Sequence, residues 1–239
     1  VAKLAFQLQC HASKFGLELI NKSHFRTLAK NVIFGIAYGR GAKAIALQAK
    51  EQKVNVTPEQ AQTVIDAIFN MYPELVPFFE GSKSRALNEK WLCHGVCRCR
   101  RFPSVSHVKL EGEFERQAMN YPIQSMIASL VDRWLSTMHL ARERLLPKLG
   151  EYLFQWQLQI HDALVVRCKP KYVDYIAKTL IPWSLQQIPV YPTRLDGRPI
   201  KGKGPYYLGA DHEVCLHWGE RVTKADCERL GIPVAYGKG

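Results

Sequence analysis

The chain has 239 residues, 47% of them hydrophobic, and a formal charge of +12. That is enough apolar material to bury a core, as one large domain or two small subdomains, and no apolar run is long enough to span a bilayer. The basic balance points to an anionic partner such as nucleic acid, a nucleotide or an acidic membrane surface, while seven cysteines without a regular disulfide framework or a signal peptide point to a reducing, intracellular compartment.

Residues 1–20 carry Ala2, Leu4, Ala5 and Leu8 at the spacing of a buried helical face, so a helix is predicted there. A second is predicted over 23–38, with Ser23 as N-cap and Gly39 and Gly41 as stop signals. Thr57-Pro58-Glu59-Gln60 is a capping box with proline at the first helical position. It opens a third helix with Ala61, Val64, Ile65 and Ile68 on one face. After the Tyr72-Pro73 break a fourth helix covers 74–90, and 91–112 reads as a basic hairpin or loop. A long helix follows over 113–144, closed by Pro147.

Then the period changes. Phe154, Trp156, Leu158 and Ile160 alternate with Gln155, Gln157 and Gln159, as in a half-buried strand. His161-Asp162 interrupts, and 163–167 reads as the returning strand. A helix over 171–186, a strand over 188–194 and a Gly/Lys-rich loop over 196–204 are predicted next. The last twenty residues read as a surface tail with one short helix. The expected class is mixed α+β, with no internal repeat. The chain begins at Val1, which suits a processed piece or part of a longer or split polypeptide.

Arg26, Lys30, Phe34 and Tyr38 recur every four residues, forming a slanted stripe about 18 Å long on the second helix. Two cations precede two aromatics, the layout of a nucleoside triphosphate, and the helix N-terminus adds positive potential at the phosphate end. Gly35 would let a base pair approach the backbone. The same spacing also suits an amphipathic helix that buries Phe34 and Tyr38 in a core.

At the tip of the later hairpin, Asp162 could hold a divalent ion, which phosphoryl transfer requires. It could equally cap the turn through its own backbone. Arg116, Asn120 and Gln124 also step by four along the long helix. A row of donors there could meet minor-groove acceptors, which every base pair presents in similar places, or it could face solvent. Cys93, His94, Cys97 and Cys99 lack the spacing of a zinc finger, and no second ligand pair follows. Lys201 and Lys203 sit in a loop that is either solvated or in contact with DNA.

The pattern R-x3-K-x3-F-G-x2-Y-G from Arg26 to Gly39 resembles motif B of family A (DNA polymerase I-like) DNA polymerases. Strand–His161-Asp162–strand resembles motif C of that family, with Ala163 where the family usually has glutamate. Glu115-Arg116-x-Ala118-x-Asn120-x-Pro122-Ile123-Gln124 resembles the segment between fingers and palm, and the match fades after Gln124. Arg98, Arg100 and Arg101 before Phe102-Pro103 resemble a basic stretch that binds DNA backbone, and His217-Trp218-Gly219 resembles the family's terminus.

The resemblance implies a helical fingers region over 1–112, a C-terminal part of the palm over 113–220 and a tail over 221–239. It implies that Arg26 and Lys30 grip the triphosphate, Phe34 lies on the sugar and Tyr38 stacks at the nascent base pair. Arg116, Asn120 and Gln124 would line the minor groove, His161 would contact the primer end, and Asp162 would bind catalytic Mg2+. Single-subunit RNA polymerases share the Arg/Lys/Tyr-Gly skeleton but usually lack the Phe-Gly pair. The implied function is therefore nucleotidyl transfer from dNTP to a primer on template DNA. No Asp-Tyr-Ser-like motif precedes Arg26. A second polypeptide or a longer chain carrying that motif is expected, and the alternatives are an RNA polymerase fragment, a non-catalytic DNA-binding remnant and an unrelated basic interaction protein.

Overall fold

The computed structural model describes residues 2–10, 12–17, 24–94, 98–103, 111–192, 198, 200–217 and 219–238. The chain is mixed, with helices and short antiparallel strand pairs. It divides into two compact units, Val1–Ser125 and Met126–Gly239, and the division falls inside a long helix. No helix among the described residues is long and apolar enough to cross a membrane.

The first unit holds helices α1 (Ala2–Cys10), α2 (Phe25–Ala37), α3 (Ala42–Glu51), α4 (Pro58–Met71) and α5 (Leu75–Asn88). Strands β1 (Trp91–His94) and β2 (Arg98–Arg101) follow, and α6 (Glu111–Leu149) begins here. The helix predicted over 1–20 is shorter than expected. α1 stops at Cys10, and a 3-10 turn ends on Gly16 in the left-handed region at φ 63°. The expected cap at Ser23 lies outside the described residues.

Helix α2 buries Phe25, Leu28, Ala29, Val32 and Ile36, a stripe at steps of three and four. Ile45 and Ala49 of α3 and Ala61, Val64, Ile65 and Ile68 of α4 close the same core. The capping box at Thr57 forms as its sequence predicts, with Gln60 N–H donating to the Thr57 hydroxyl and the Gln60 side chain accepting from Thr57 N–H. No element was expected over 42–51, because Gly39 and Gly41 read only as stops. Gly41 instead serves as the N-cap of α3, whose Ile45, Ala46 and Ala49 turn inward.

The β1–β2 ribbon pairs Leu92 with Arg100 and Cys93 with Cys99. Leu92 joins Ala86, Phe102, Phe114 and Ala118 in a second small core. Cys93 and Cys99 stand directly opposite in this register and are joined as a disulfide, a single pairing that no regular cysteine spacing announces. Cys97 lies outside the described residues. Among the described residues no three metal-binding side chains gather.

In the second unit α6 continues through Pro147 to Leu149, so the proline does not close the helix. The terminator is Gly150 at φ 67°, whose N–H donates to the Leu146 carbonyl at 2.9 Å. Strands β3 (Gln155–Ile160) and β4 (Ala163–Arg167) pair antiparallel, with an irregularity between Trp156 and Leu158. Phe154 is buried and Trp156 packs on it edge-on, while Leu158 and Ile160 remain exposed, so the half-buried pattern holds only at the start of the strand.

A helical run follows: α7 (Val173–Tyr175), a π-helical segment (Ile176–Leu180) and α8 (Ile181–Gln186). Ile176 and Leu180 pack with Met138 and Ala141 of α6, and the Trp134 indole donates to the Ser184 hydroxyl at 2.8 Å. No strand forms over 188–192. Val190 alone makes a bridge, because Pro189 and Pro192 lack the donors a ladder needs. Strands β5 (Cys215–His217) and β6 (Glu220–Arg221) precede α9 (Lys224–Leu230). The expected tail is thus built in: Val222, Cys227 and Ile232 bury themselves against Val173. Trp218 lies outside the described residues.

Two carboxylates make this unit acid-sensitive. Glu151 bonds Lys169, Lys171 and Tyr172, which hold its pKa at about 2 against an ordinary 4.5. Asp226, capped by Thr223 and paired with Arg229, also lies at about 2, against an ordinary 3.8. Both values are depressed on folding, so their stabilisation is full above the unfolded values and is lost as pH falls through the folded ones. The melting temperature should therefore drop between pH 4.5 and about 2, and the double variant Glu151→Gln, Asp226→Asn should flatten that drop. Melts of wild type and variant that fall in parallel would exclude this account.

Candidate functional site

All four residues of the predicted stripe lie on the exposed side of α2. Arg26 and Lys30 are exposed, and Phe34 and Tyr38 keep 47% and 40% of their surface in solvent. The alternative in which the two rings enter the core is therefore excluded. The core of this helix is the other stripe, Phe25 to Ile36. Lys30 Nζ lies 5.8 Å from the Phe34 ring centroid, so the second cation and first ring form one continuous surface.

Gly35 has a different role from the one its sequence suggested. It is buried, and a Cβ there would stand 2.6 Å from Ile45 Cγ1. The missing side chain lets α3 approach α2; it does not open the exposed face to a ligand. Gly39, at φ 64°, packs against Arg116, where a Cβ would meet Arg116 Cγ at 2.8 Å.

The first turns of α6 present Arg116, Asn120 and Gln124 at one-turn intervals. Arg116 and Gln124 are exposed. Gln124 Nε2 donates to the Tyr38 hydroxyl at 3.0 Å, so the aromatic end of the α2 stripe is fixed on the same row. Among the described residues Asn120 Oδ1 is buried without a hydrogen-bond partner, a costly arrangement for an acceptor. The structure thus joins the α2 stripe and the α6 row within the first unit. No local sequence signal announced that link, since Tyr38 and Gln124 are 86 residues apart.

On β2, Arg98, Arg100 and Arg101 are all exposed. Arg100 is committed within the unit: it donates to Gln117 Oε1 at 2.7 Å and lies 5.1 Å over the Phe102 ring. Gln117 is the supporting residue that sequence reasoning missed, because an isolated glutamine carries no pattern. Arg101 stands across the ribbon from Trp91.

In the second unit Ile160 pairs with Ala163, leaving His161 and Asp162 as the two loop residues of the β3–β4 hairpin. Both are exposed. His161 has φ 52°, a left-handed conformation that costs a non-glycine residue about 1–2 kcal/mol. Asp162 also lines a large cavity whose other walls include Leu130, Val165, Ile176 and Val222. Polar groups line it too, among them Arg167, Asp211, His212 and Glu213. An exposed carboxylate can supply one arm of a metal site, and among the described residues no group of three or more His, Cys, Asp or Glu side chains gathers to hold an ion.

The strained histidine gives a test that separates packing from function. His161→Gly should leave the chain as stable or more stable by up to about 1 kcal/mol, because the turn strain exceeds the added freedom of the unfolded chain. If His161 serves a ligand, primer-dependent activity should fall in the same variant. A clear loss of stability on denaturant unfolding would show that the ring itself packs in the fold.

Residues 10–189 match the family described as DNA polymerase family A. The thermostable DNA polymerase I of Thermus thermophilus is 30% identical over 168 residues, covering 67% of this chain and 19% of that protein. DNA polymerase I of Geobacillus stearothermophilus is 25% identical over 169 residues, covering 69% and 18%. The chloroplastic/mitochondrial DNA polymerase I A of Arabidopsis thaliana is 28% identical over 141 residues, covering 59% and 12%. The chain therefore spans less than a fifth of the length of these curated relatives. Among solved structures, the POL domain of Pol1 from M. smegmatis, in complex with DNA primer-template and dNTP, superposes with a TM-score of 0.56 at 19% identity. That match covers 76% of this chain and 30% of the other and shows a shared fold.

Proposed function

This chain belongs to DNA polymerase family A, and from that premise we propose that it takes part in DNA-templated DNA synthesis as the nucleotide-gripping and primer-end portion of the polymerase. The observation that carries the reading is the α2 stripe. Two cations and two rings stay in solvent on a helix whose other face is fully used by the core, and the terminal ring is held by Gln124.

In this reading Arg26 and Lys30 take the triphosphate, Phe34 the sugar, and Tyr38 the nascent base pair. Arg116, Asn120 and Gln124 meet the minor groove of the primer–template. The unmet Asn120 acceptor is tolerable to a fold that uses this row for a ligand, since functional rows are where local rules are broken. Arg98, Arg100 and Arg101 add charge toward the DNA backbone. His161 contacts the primer end, and Asp162 is the residue of this chain that would hold Mg2+. When bound, such ions acidify the primer hydroxyl and neutralise charge on the transferred phosphate. One carboxylate does not complete a two-metal site, so the reading requires further carboxylate ligands, which a longer chain or a second one could bring.

Ala163, in the place where the family usually carries glutamate, favours a second reading: a DNA-binding element that no longer catalyses. The deciding measurement is retention of a labelled dNTP on a primer–template complex of the chain. Magnesium-dependent, template-matched retention supports the polymerase reading. Primer–template binding with no nucleotide retention supports the remnant, and binding of neither removes both. Preferential retention of ribonucleotides would instead assign the chain to RNA synthesis.

A further inference from the structure

The family match stops at residue 189, and the segment beyond it gathers tyrosines and cations that belong to neither the α2 stripe nor the β3–β4 turn. We infer that residues 190–192 and 200–208 form a binding site for an unpaired nucleic-acid strand, with tyrosine rings stacking on bases and the lysines of the turn meeting phosphates.

The backbone builds an out-and-back ribbon. Val190 and Tyr206 exchange two hydrogen bonds of 2.8 Å each. Further out, Ile200 N–H donates to the Pro192 carbonyl at 2.8 Å, and Lys203 N–H closes a turn on the Ile200 carbonyl at 3.3 Å. Alternation about the bridge puts Tyr206 on one face with Val190, and Tyr191 and Tyr207 on the other. All three rings are more than half in solvent, at 52% for Tyr191, 56% for Tyr206 and 54% for Tyr207. Lys201 and Lys203 are exposed at the turn, and among the described residues neither is held in an ion pair.

The charge fits the ligand. Residues 190–192 and 200–208 contain Lys201 and Lys203 and no carboxylate, or +2. Of the acidic residues just beyond, Glu213 is paired with Arg221, while Asp211 is exposed. Rings with their faces open beside a cationic turn are the components of a strand-binding platform: stacking tolerates any base, and the cations follow the backbone. A duplex has its base faces covered, so these rings select an unpaired strand.

The test is fluorescence anisotropy of labelled oligo(dT) on the full chain, without nucleotide or magnesium. Tyr206→Ala with Tyr207→Ala should weaken oligo(dT) binding roughly five- to a hundredfold and leave blunt duplex binding nearly unchanged. Lys201→Ala with Lys203→Ala should reduce the slope of log affinity against log salt by about 1.4. If the tyrosine variant melts early, cross-linking of 5-iodouracil oligonucleotide to wild type takes its place, and adducts on Tyr191, Tyr206 or Tyr207 are expected. The inference falls if wild type does not bind oligo(dT), if both variants bind it unchanged, if duplex binding falls equally, or if adducts form only elsewhere. None of these outcomes touches the reading of α2 or of the His161-Asp162 turn, because the assay uses neither dNTP nor metal.

Discussion

Replacing Lys30 by alanine should lower nucleotide incorporation about a hundred- to thousandfold in a polymerase that contains this chain. That is the usual cost of removing one preorganised donor from a developing charge. The residue sits mid-stripe, between the Arg26 cation and the Phe34 ring, with its ammonium already near that ring. Its removal leaves the core face of α2 untouched, so the melting temperature should not move. Arg26→Ala should act more mildly, raising the nucleotide KM more than it lowers kcat, if that cation holds the ground-state triphosphate. Single-turnover incorporation on a primer–template separates the two effects. A Lys30→Ala enzyme within threefold of wild type, or one that melts early, would remove Lys30 from the triphosphate site.

The α2 stripe was legible because both of its faces follow one rule: apolar at steps of three and four inside, charged and aromatic at steps of four outside. The His161-Asp162 turn was legible because the strand period breaks there and resumes at Ala163. What sequence did not reveal is tertiary. Gly35 reads as an opening for a ligand, yet only the packing of Ile45 shows that its missing side chain serves the α2–α3 contact. The Tyr38–Gln124 bond joins two patterns far apart in the chain, and no local spacing encodes it. Helix α3 hides behind two glycines that read as punctuation, and the Cys93–Cys99 pairing depends on a strand register that a basic loop does not display. Of the strand expected over 188–194, the described part, 188–192, does not form, for a reason visible in the sequence: Pro189 and Pro192 remove the donors on both sides of Val190.

Asp162→Asn should reduce magnesium-dependent incorporation by at least about a thousandfold, since the several kcal/mol that a metal contributes to charge stabilisation depend on a ligand with a full negative charge. Asparagine matches aspartate in size and tolerates turns, so the β3–β4 pairing and the melting temperature should survive. Primer–template affinity should survive as well, because the basic β2 and the α6 row lie in the other unit. Retained activity in Asp162→Asn would show that this carboxylate only shapes the turn. Ala163→Glu supplies the opposite test. Position 163 is exposed beside the turn, so a glutamate can be added there without displacing core atoms. If a second carboxylate is what this hairpin lacks, the magnesium concentration giving half-maximal incorporation should fall in Ala163→Glu, with Asp162 still required. If Ala163→Glu rescues Asp162→Asn outright, the metal is held by the charge of the turn as a whole and not by Asp162 in particular.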